Sequence, residues 1–127
     1  MFDGPEPIYL QIAQMIRAQV LAGELKEEEQ VMSTTQFATT FRINPATAQK
    51  AFAGLVDEGV LYKRRGLGMF VAPGARERLL DDYRKSYFEE VLAPALQQAD
   101  ILGISTDEVV AYVLGKNGRR KPTTEES

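Results

Sequence analysis

Three adjacent cations, Lys63-Arg64-Arg65, run directly into Gly66-Leu67-Gly68. An ammonium or guanidinium neutralises a phosphate, a guanidinium also enters a minor groove, and glycines let the backbone approach a partner closely. A second set lies upstream. Asn44-Pro45-Ala46-Thr47-Ala48-Gln49-Lys50 offers hydroxyl, amide and ammonium groups just inside a capped helix start. Such groups form hydrogen bonds with base edges. Neither set performs covalent chemistry. The chain has no histidine and no cysteine, which removes the commonest general base, the commonest metal ligand and the thiolate. Asp81 and Asp82 occupy adjacent helical positions and diverge, and no motif supplies an activated nucleophile. The expectation is a binding protein, with no catalytic residues, no metal and no cofactor.

Helices must hold these groups. Ile8, Ile12, Met15, Ile16 and Val20 recur at three- and four-residue spacing, which predicts a helix over 8–22, approached through Pro5 and Pro7 and left at Gly23. The following stretch, with its run Glu27-Glu28-Glu29, reads as a solvated connection anchored by Leu25 and Val31. Ser33 and Gln36 stand at capping-box spacing, so a second helix begins there and runs to about Phe41. Its free N–H groups, with Ser33, Thr34 and Thr35, can also take a phosphate. Arg42 and Ile43 make a turn, after which Asn44 caps a third helix over 45–57 with Pro45 at its first position. Ala48, Ala51, Phe52, Leu55 and Val56 form its core face. Ala46, Lys50, Ala53 and Asp57 form the other, flanked by Thr47 and Gln49. The small residues let that face come close to a partner, and a major groove of about 12 Å admits a helix. Val60-Leu61-Tyr62 and Met69-Phe70-Val71 are short apolar strands joined through Arg64-Arg65-Gly66-Leu67-Gly68.

A groove-sized helix beside a basic hairpin makes a winged helix-turn-helix, assigned to residues 1–74. The fold class is mainly α with a small β-hairpin wing, followed by a short helical domain. A net charge of −3 does not oppose DNA binding, because exposed charges act over only roughly 8 Å at physiological salt. Arg42, Lys50, Lys63, Arg64 and Arg65 gather within 42–68 against Asp57 and Glu58 alone, while the other acids collect elsewhere. An apolar fraction of 44% supports a core. No run reaches the ~20 apolar residues of a membrane span, and Met1-Phe2-Asp3-Gly4-Pro5 has no secretory character. A cytoplasmic protein without a membrane partner is expected.

Residues 75–115 read as a helical dimerisation or effector extension. Leu80, Tyr83, Tyr87 and Val91 make one stripe, and Phe88, Leu92, Ala95 and Ala99 make a second beside it. Two stripes suit a helix that packs on its own domain and on a second subunit. Tyr83, Tyr87 and Phe88 can alternatively line an effector cavity. Pro94 is expected to kink or split the helix near Ala93. Ser105 and Glu108 repeat the capping-box spacing and start a helix ending near Leu114. Residues 116–127, which include Arg119-Arg120-Lys121, read as a polar, disordered tail.

The chain resembles the GntR family of bacterial transcription regulators over about residues 7–72. The resemblance is carried in order by Pro7-Ile8-Tyr9, Gly23-Glu24-Leu25, Asn44-Pro45-Ala46-Thr47, Glu58-Gly59-Val60-Leu61 and Arg64-Arg65-Gly66-Leu67-Gly68-Met69-Phe70-Val71. The short remainder is similar to the YtrA-like branch, with its two-helix dimerisation extension. That resemblance implies a homodimeric repressor, often of transporter operons, released by a small effector. Three positions depart from the family pattern. Val31-Met32-Ser33-Thr34-Thr35 stands where Leu-Pro-Ser-x-Arg is common, so Thr35 replaces a DNA-contacting arginine. Lys50 stands where arginine is common, and Met69 where threonine is. Lysine lacks the planar fork that reads guanine bidentately, which implies a different operator sequence.

The sequence thus points to a sequence-specific DNA-binding regulator, a dimeric repressor acting on a palindromic duplex operator under a small-molecule effector. Its DNA-facing residues are Ser33, Thr34 and Thr35, then Arg42, Asn44, Ala46, Thr47, Gln49 and Lys50, then Lys63, Arg64, Arg65, Gly66 and Gly68. Leu80, Tyr83, Tyr87, Phe88, Val91 and Leu92 are the effector or dimer residues. The rivals are a winged-helix module that binds an acidic protein, and a DNA-binding dimer that needs no effector.

Overall fold

The computed structural model describes residues 2–120. The element order is α1 (Ile8–Leu21), α2 (Thr34–Phe41), α3 (Pro45–Asp57), β1 (Leu61–Arg64), β2 (Gly68–Val71), α4 (Ala75–Tyr87), a π-turn (Phe88–Leu92), α5 (Ala93–Ile101) and α6 (Thr106–Arg120). The chain divides into two compact units, one ending at Tyr83 and the other starting at Arg84.

In the first unit, α1 buries Ile12, Ala13, Ile16 and Val20, a stripe repeating every three to four residues. Ile8 remains 40% exposed, so the buried stripe starts at Ile12, about one turn later than the apolar periodicity does. Phe37 and Ala38 of α2 meet Ala48, Ala51, Phe52 and Leu55 of α3 in one core. Both starts are capped as their residues dictate. Ser33 Oγ accepts from Gln36 N at 3.0 Å while Gln36 Oε1 accepts from Ser33 N at 3.1 Å. Asn44 Oδ1 accepts from Ala46 N at 2.8 Å, with Pro45 opening the helix. Arg42 makes the sharp turn between them in the left-handed region, at φ 55°.

Arg17 ties α1 to the end of α3. Its Nε donates to Glu58 Oε1 at 2.9 Å and its Nη2 donates to Glu58 Oε2, and this carboxylate holds the guanidinium pKa above its ordinary value. The Arg17 side chain is 19% exposed and that of Glu58 40%, so solvent screens the pair. Arg17→Ala is expected to cost about 0.5–1 kcal/mol, at the upper end for a partly exposed pair because the fork is bidentate. The shift in urea midpoint measures it.

The first half of α4 belongs to this unit, which moves the boundary past the expected 74/75. Ala75 is fully buried and Leu79 nearly so. Arg76 Nε donates to Leu21 O at 3.0 Å, and Arg78 Nη2 donates to Gly59 O. Helical periodicity carries no mark of where one packing partner replaces another.

The helix expected to kink or split near Ala93 is split within the second unit, by a π-turn over Phe88–Leu92. Pro94 lacks the N–H that an α-helix needs, and its ring strikes the carbonyl four residues back. The wider i→i+5 ladder ends with Ala93 N donating to Phe88 O, and α5 restarts with Pro94 in its first turn. Ser105 caps α6 by the expected reciprocal bonds, Ser105 Oγ accepting from Glu108 N at 3.1 Å and Glu108 Oε1 accepting from Ser105 N at 2.9 Å. That helix continues past Leu114 through Arg120, so residues 116–120 are helical rather than part of a tail. Gly115 and Gly118 each cost about 1 kcal/mol against alanine in a helix interior and so read as stops, but the helix runs through both. Residues 121–127 lie outside the described residues.

Candidate nucleic-acid interface

The interface is built on α3 and the hairpin that follows it. Gly59, at φ 80°, ends α3, and Val60 N donates to Leu55 O at 2.9 Å before the chain enters β1. With Ala48, Ala51, Phe52 and Leu55 buried, α3 turns Ala46, Gln49, Lys50, Ala53 and Asp57 outward, and all five are exposed. Thr47 is half-buried at the edge of that face. Arg42 and Asn44 are exposed at the turn that precedes it. Ser33 and Thr35 are exposed at the start of α2, and Thr34 is half-buried.

Lys50 does not hang free. Its Nζ lies 4.1 Å from the centroid of the Tyr9 ring on α1, a cation–π contact that holds the ammonium without neutralising it. Tyr9 was not among the predicted site residues. Its signal was its place beside Ile8 in the α1 motif, which periodicity alone reads as packing.

The hairpin differs from its predicted outline. β1 and β2 pair antiparallel with Leu61 opposite Val71, Tyr62 opposite Phe70, Lys63 opposite Met69 and Arg64 opposite Gly68. Lys63 and Arg64 therefore belong to the strand, and the tip is Arg65-Gly66-Leu67, closed by Leu67 N donating to Arg64 O at 2.9 Å. Alternation then separates the cations. Lys63 points to one face and is exposed. Arg64 shares the other face with Tyr62 and Phe70 and is half-buried. Its guanidinium carbon lies 4.1 Å from the Phe70 ring centroid.

The loop before α2 runs beside the hairpin. Glu28 N donates to Val71 O at 2.8 Å, Val71 N to Glu29 O at 2.9 Å and Val31 N to Met69 O at 2.9 Å. Gln30 Nε2 donates to Leu67 O at 2.7 Å. The wing is thus braced by a third stretch of chain, which no strand periodicity announces. Glu28, read from sequence as part of a solvated acidic run, reaches into the wing. Tyr62 donates its hydroxyl to Glu28 Oε1, and Arg64 Nη2 donates to the same oxygen at 3.0 Å. Arg64 also donates to the Tyr62 hydroxyl through Nε at 3.0 Å and Nη2 at 2.8 Å. The Tyr62 hydrogen bond, then Arg64, hold the Glu28 carboxyl below its ordinary pKa. Among the described residues no ion pair engages Arg42, Lys63 or Arg65.

The remaining predicted residues divide between the two units. Leu80 is half-buried, and Tyr83 donates its hydroxyl to Gln14 Oε1 at 3.3 Å, so both belong with the first. Tyr87, Phe88 and Val91 are more than half exposed in the second. Leu92 lines a groove of about 400 Å³ with Leu96, Ile104, Val109 and Val113.

Residues 8–71 match the family model described as bacterial regulatory proteins of the gntR family. The chain is 32% identical over 117 residues to the transcriptional repressor NagR of Bacillus subtilis, covering 89% of this chain and 48% of NagR. It is 30% identical over 109 residues to the regulator YhcF of the same organism, covering 86% of this chain and 88% of YhcF. It is 27% identical over 107 residues to the repressor YtrA, also of Bacillus subtilis, covering 84% and 82%. A GntR-family regulator from Listeria monocytogenes superposes with a TM-score of 0.64 at 26% identity, over 88% of this chain and 96% of that one. The DNA-binding domain of AraR, solved in complex with an operator, superposes with a TM-score of 0.53 at 28% identity, over 57% of this chain and 93% of that one. The matched residues 8–71 span the capped α3, the glycine exit and the braced wing, and by this match the chain belongs to the GntR family as a DNA-binding regulator rather than an enzyme.

Proposed function

We propose that the chain is a dimeric transcriptional repressor that lays α3 in a major groove and the wing over the flanking backbone. The observation that carries this reading is the outer face of α3, where Gln49 and Lys50 stand exposed between small residues, followed in the chain by Lys63 and Arg65, which no ion pair engages among the described residues. Residues 1–74, with the first half of α4 packed on them, serve as the DNA-binding domain, and the helices that follow serve for dimerisation. The second unit exposes Val91, Leu96, Val110, Val113 and Leu114 on its own surface, each more than 40%, which supports burial against a second copy. Two-fold symmetry then predicts a palindromic operator with half-sites one helical turn apart, roughly 34 Å, or a multiple. A small effector that binds one arrangement of the dimer better than the other would release it. The site of action is the cytoplasm, and among the described residues no helix is long and apolar enough to cross a membrane.

Selection of randomised duplex DNA on the purified protein, followed by titration of the enriched sequence, tests this reading. A palindrome is the expected result. Lys50→Ala/Lys63→Ala/Arg65→Ala is expected to flatten the slope of log affinity against log salt by about 2.7, at about 0.9 for each of three lost phosphate contacts. An unchanged affinity and slope in the triple variant would remove DNA from these surfaces.

A further inference from the structure

We infer that Glu28 is an internal stand-in for a DNA phosphate that holds Arg64 out of the wing's contact set and thereby limits the wing's DNA affinity.

The inference rests on the DNA-binding role proposed above and deepens it. A wing that grips a backbone needs cations with unoccupied donors. Lys63, Arg64 and Arg65 are adjacent in sequence and unequal in space. Arg64 spends Nε and Nη2 on Tyr62 and Glu28, and its flat face lies on Phe70. A carboxylate presents the same charge and the same oxygen acceptors to a guanidinium fork as a phosphate does. Nη1 keeps its donors, but DNA can engage the Nη2 edge that faces Glu28 only by displacing that carboxylate, so the gain of that contact is offset by the loss of another.

The backbone shows that this pairing is built in rather than incidental. Glu28 sits at φ 69°, a left-handed conformation uncommon for a residue with a side chain. The Glu28 N–H bond to Val71 O and the Val71 N–H bond to Glu29 O fix the loop against the end of β2, so the carboxylate is delivered to Arg64 from a braced position. Neither neighbour in the acidic run makes this contact. Glu29 instead accepts from Lys26 N at 2.9 Å.

The test is a double-mutant cycle of Glu28→Gln and Arg64→Gln, read by fluorescence anisotropy on a labelled duplex across 50–200 mM salt, the range over which phosphate contacts are resolved. Circular dichroism checks folding. Glu28→Gln is expected to bind several-fold tighter at low salt and to steepen the salt slope by about 0.9, one added phosphate contact. In the Arg64→Gln background the same change is expected to do nothing. A Glu28→Gln variant with unchanged or weaker binding overturns the inference, the weaker case meaning that the carboxylate orients Arg64 for DNA. A gain that persists without Arg64 also overturns it, since relief of general charge repulsion then accounts for the effect. Should Glu28→Gln fold poorly, Glu28→Gly suits the positive φ and removes the same carboxylate. Duplex binding that ignores both variants sinks this inference alone, whereas a chain that binds no duplex sinks the DNA-binding role with it.

Discussion

Phe52→Ala is expected to lower the unfolding free energy by roughly 3–5 kcal/mol, a large share of the roughly 5–15 kcal/mol that holds a typical domain together. Phe52 is 1% exposed and is the buried pivot of α3. Its ring meets Phe37 edge-on at 5.5 Å and 72°. Phe37 in turn tilts against Phe41 at 4.5 Å, and Phe41 meets Phe2 at 5.8 Å. The string of rings joins α3 to α2 and to the N-terminal approach. A hollow of about 230 Å³ lined by Met15, Phe37, Phe41 and Phe52 already lies beside it. Truncation widens that hollow rather than closing it, so the cavity adds to the lost transfer energy. Chemical denaturation measures the change, and a loss below about 1 kcal/mol would mean that the core collapses around the gap. Because Phe52 sits two positions from Lys50 on the same helix, the variant also blurs the placement of the outer face. DNA affinity should fall without a change in salt slope, since no cation is removed.

Gly68→Ala is expected to cost roughly 2–3 kcal/mol, the range of a residue forced into a sparsely populated backbone region plus a broken contact. Gly68 has φ 122°, and an added Cβ would lie 2.7 Å from Gln30 Nε2. That nitrogen donates to Leu67 O, so making room means giving up the bond that braces the wing tip. Gly66 supplies the control. Its φ is 76°, but nothing lies within 4 Å of an added Cβ, so Gly66→Ala should cost only about 1–2 kcal/mol of left-handed strain. Unfolding midpoints compare the two, and hydrogen exchange at Leu67 and Met69 reports the brace. Equal costs for the two alanines would show that Gln30 contributes nothing to the wing.

What could be read in the sequence was whatever depends on local spacing. The caps at Ser33, Asn44 and Ser105, the core face of α3 and the glycine-tipped hairpin all follow from residues within four positions of one another. The misses share a different cause. Glu28 meets Arg64 across 36 positions in the chain, and Tyr9 meets Lys50 across a helix pair, and neither contact leaves a periodic trace. Arg64 looked like Lys63 and Arg65 because three cations in a row carry no sign of which strand face each will take. One residue's slip in register would exchange them. Thr47 shows the same limit at smaller scale, since a flank position becomes half-buried only once α3 has chosen its angle.

The π-turn at Phe88–Leu92 changes how the second unit should be counted. In an unbroken α-helix each residue advances the surface by about 100°, so a face can be followed by arithmetic from one end to the other. The wide turn absorbs one residue without that advance. Leu92 and Leu96 therefore reach their groove on a phase different from the one obtained by counting through from Tyr87. A single-residue insertion or deletion within 88–92 would act as a rotation, turning one apolar surface away and another into its place, while leaving the length of the helical rod almost untouched.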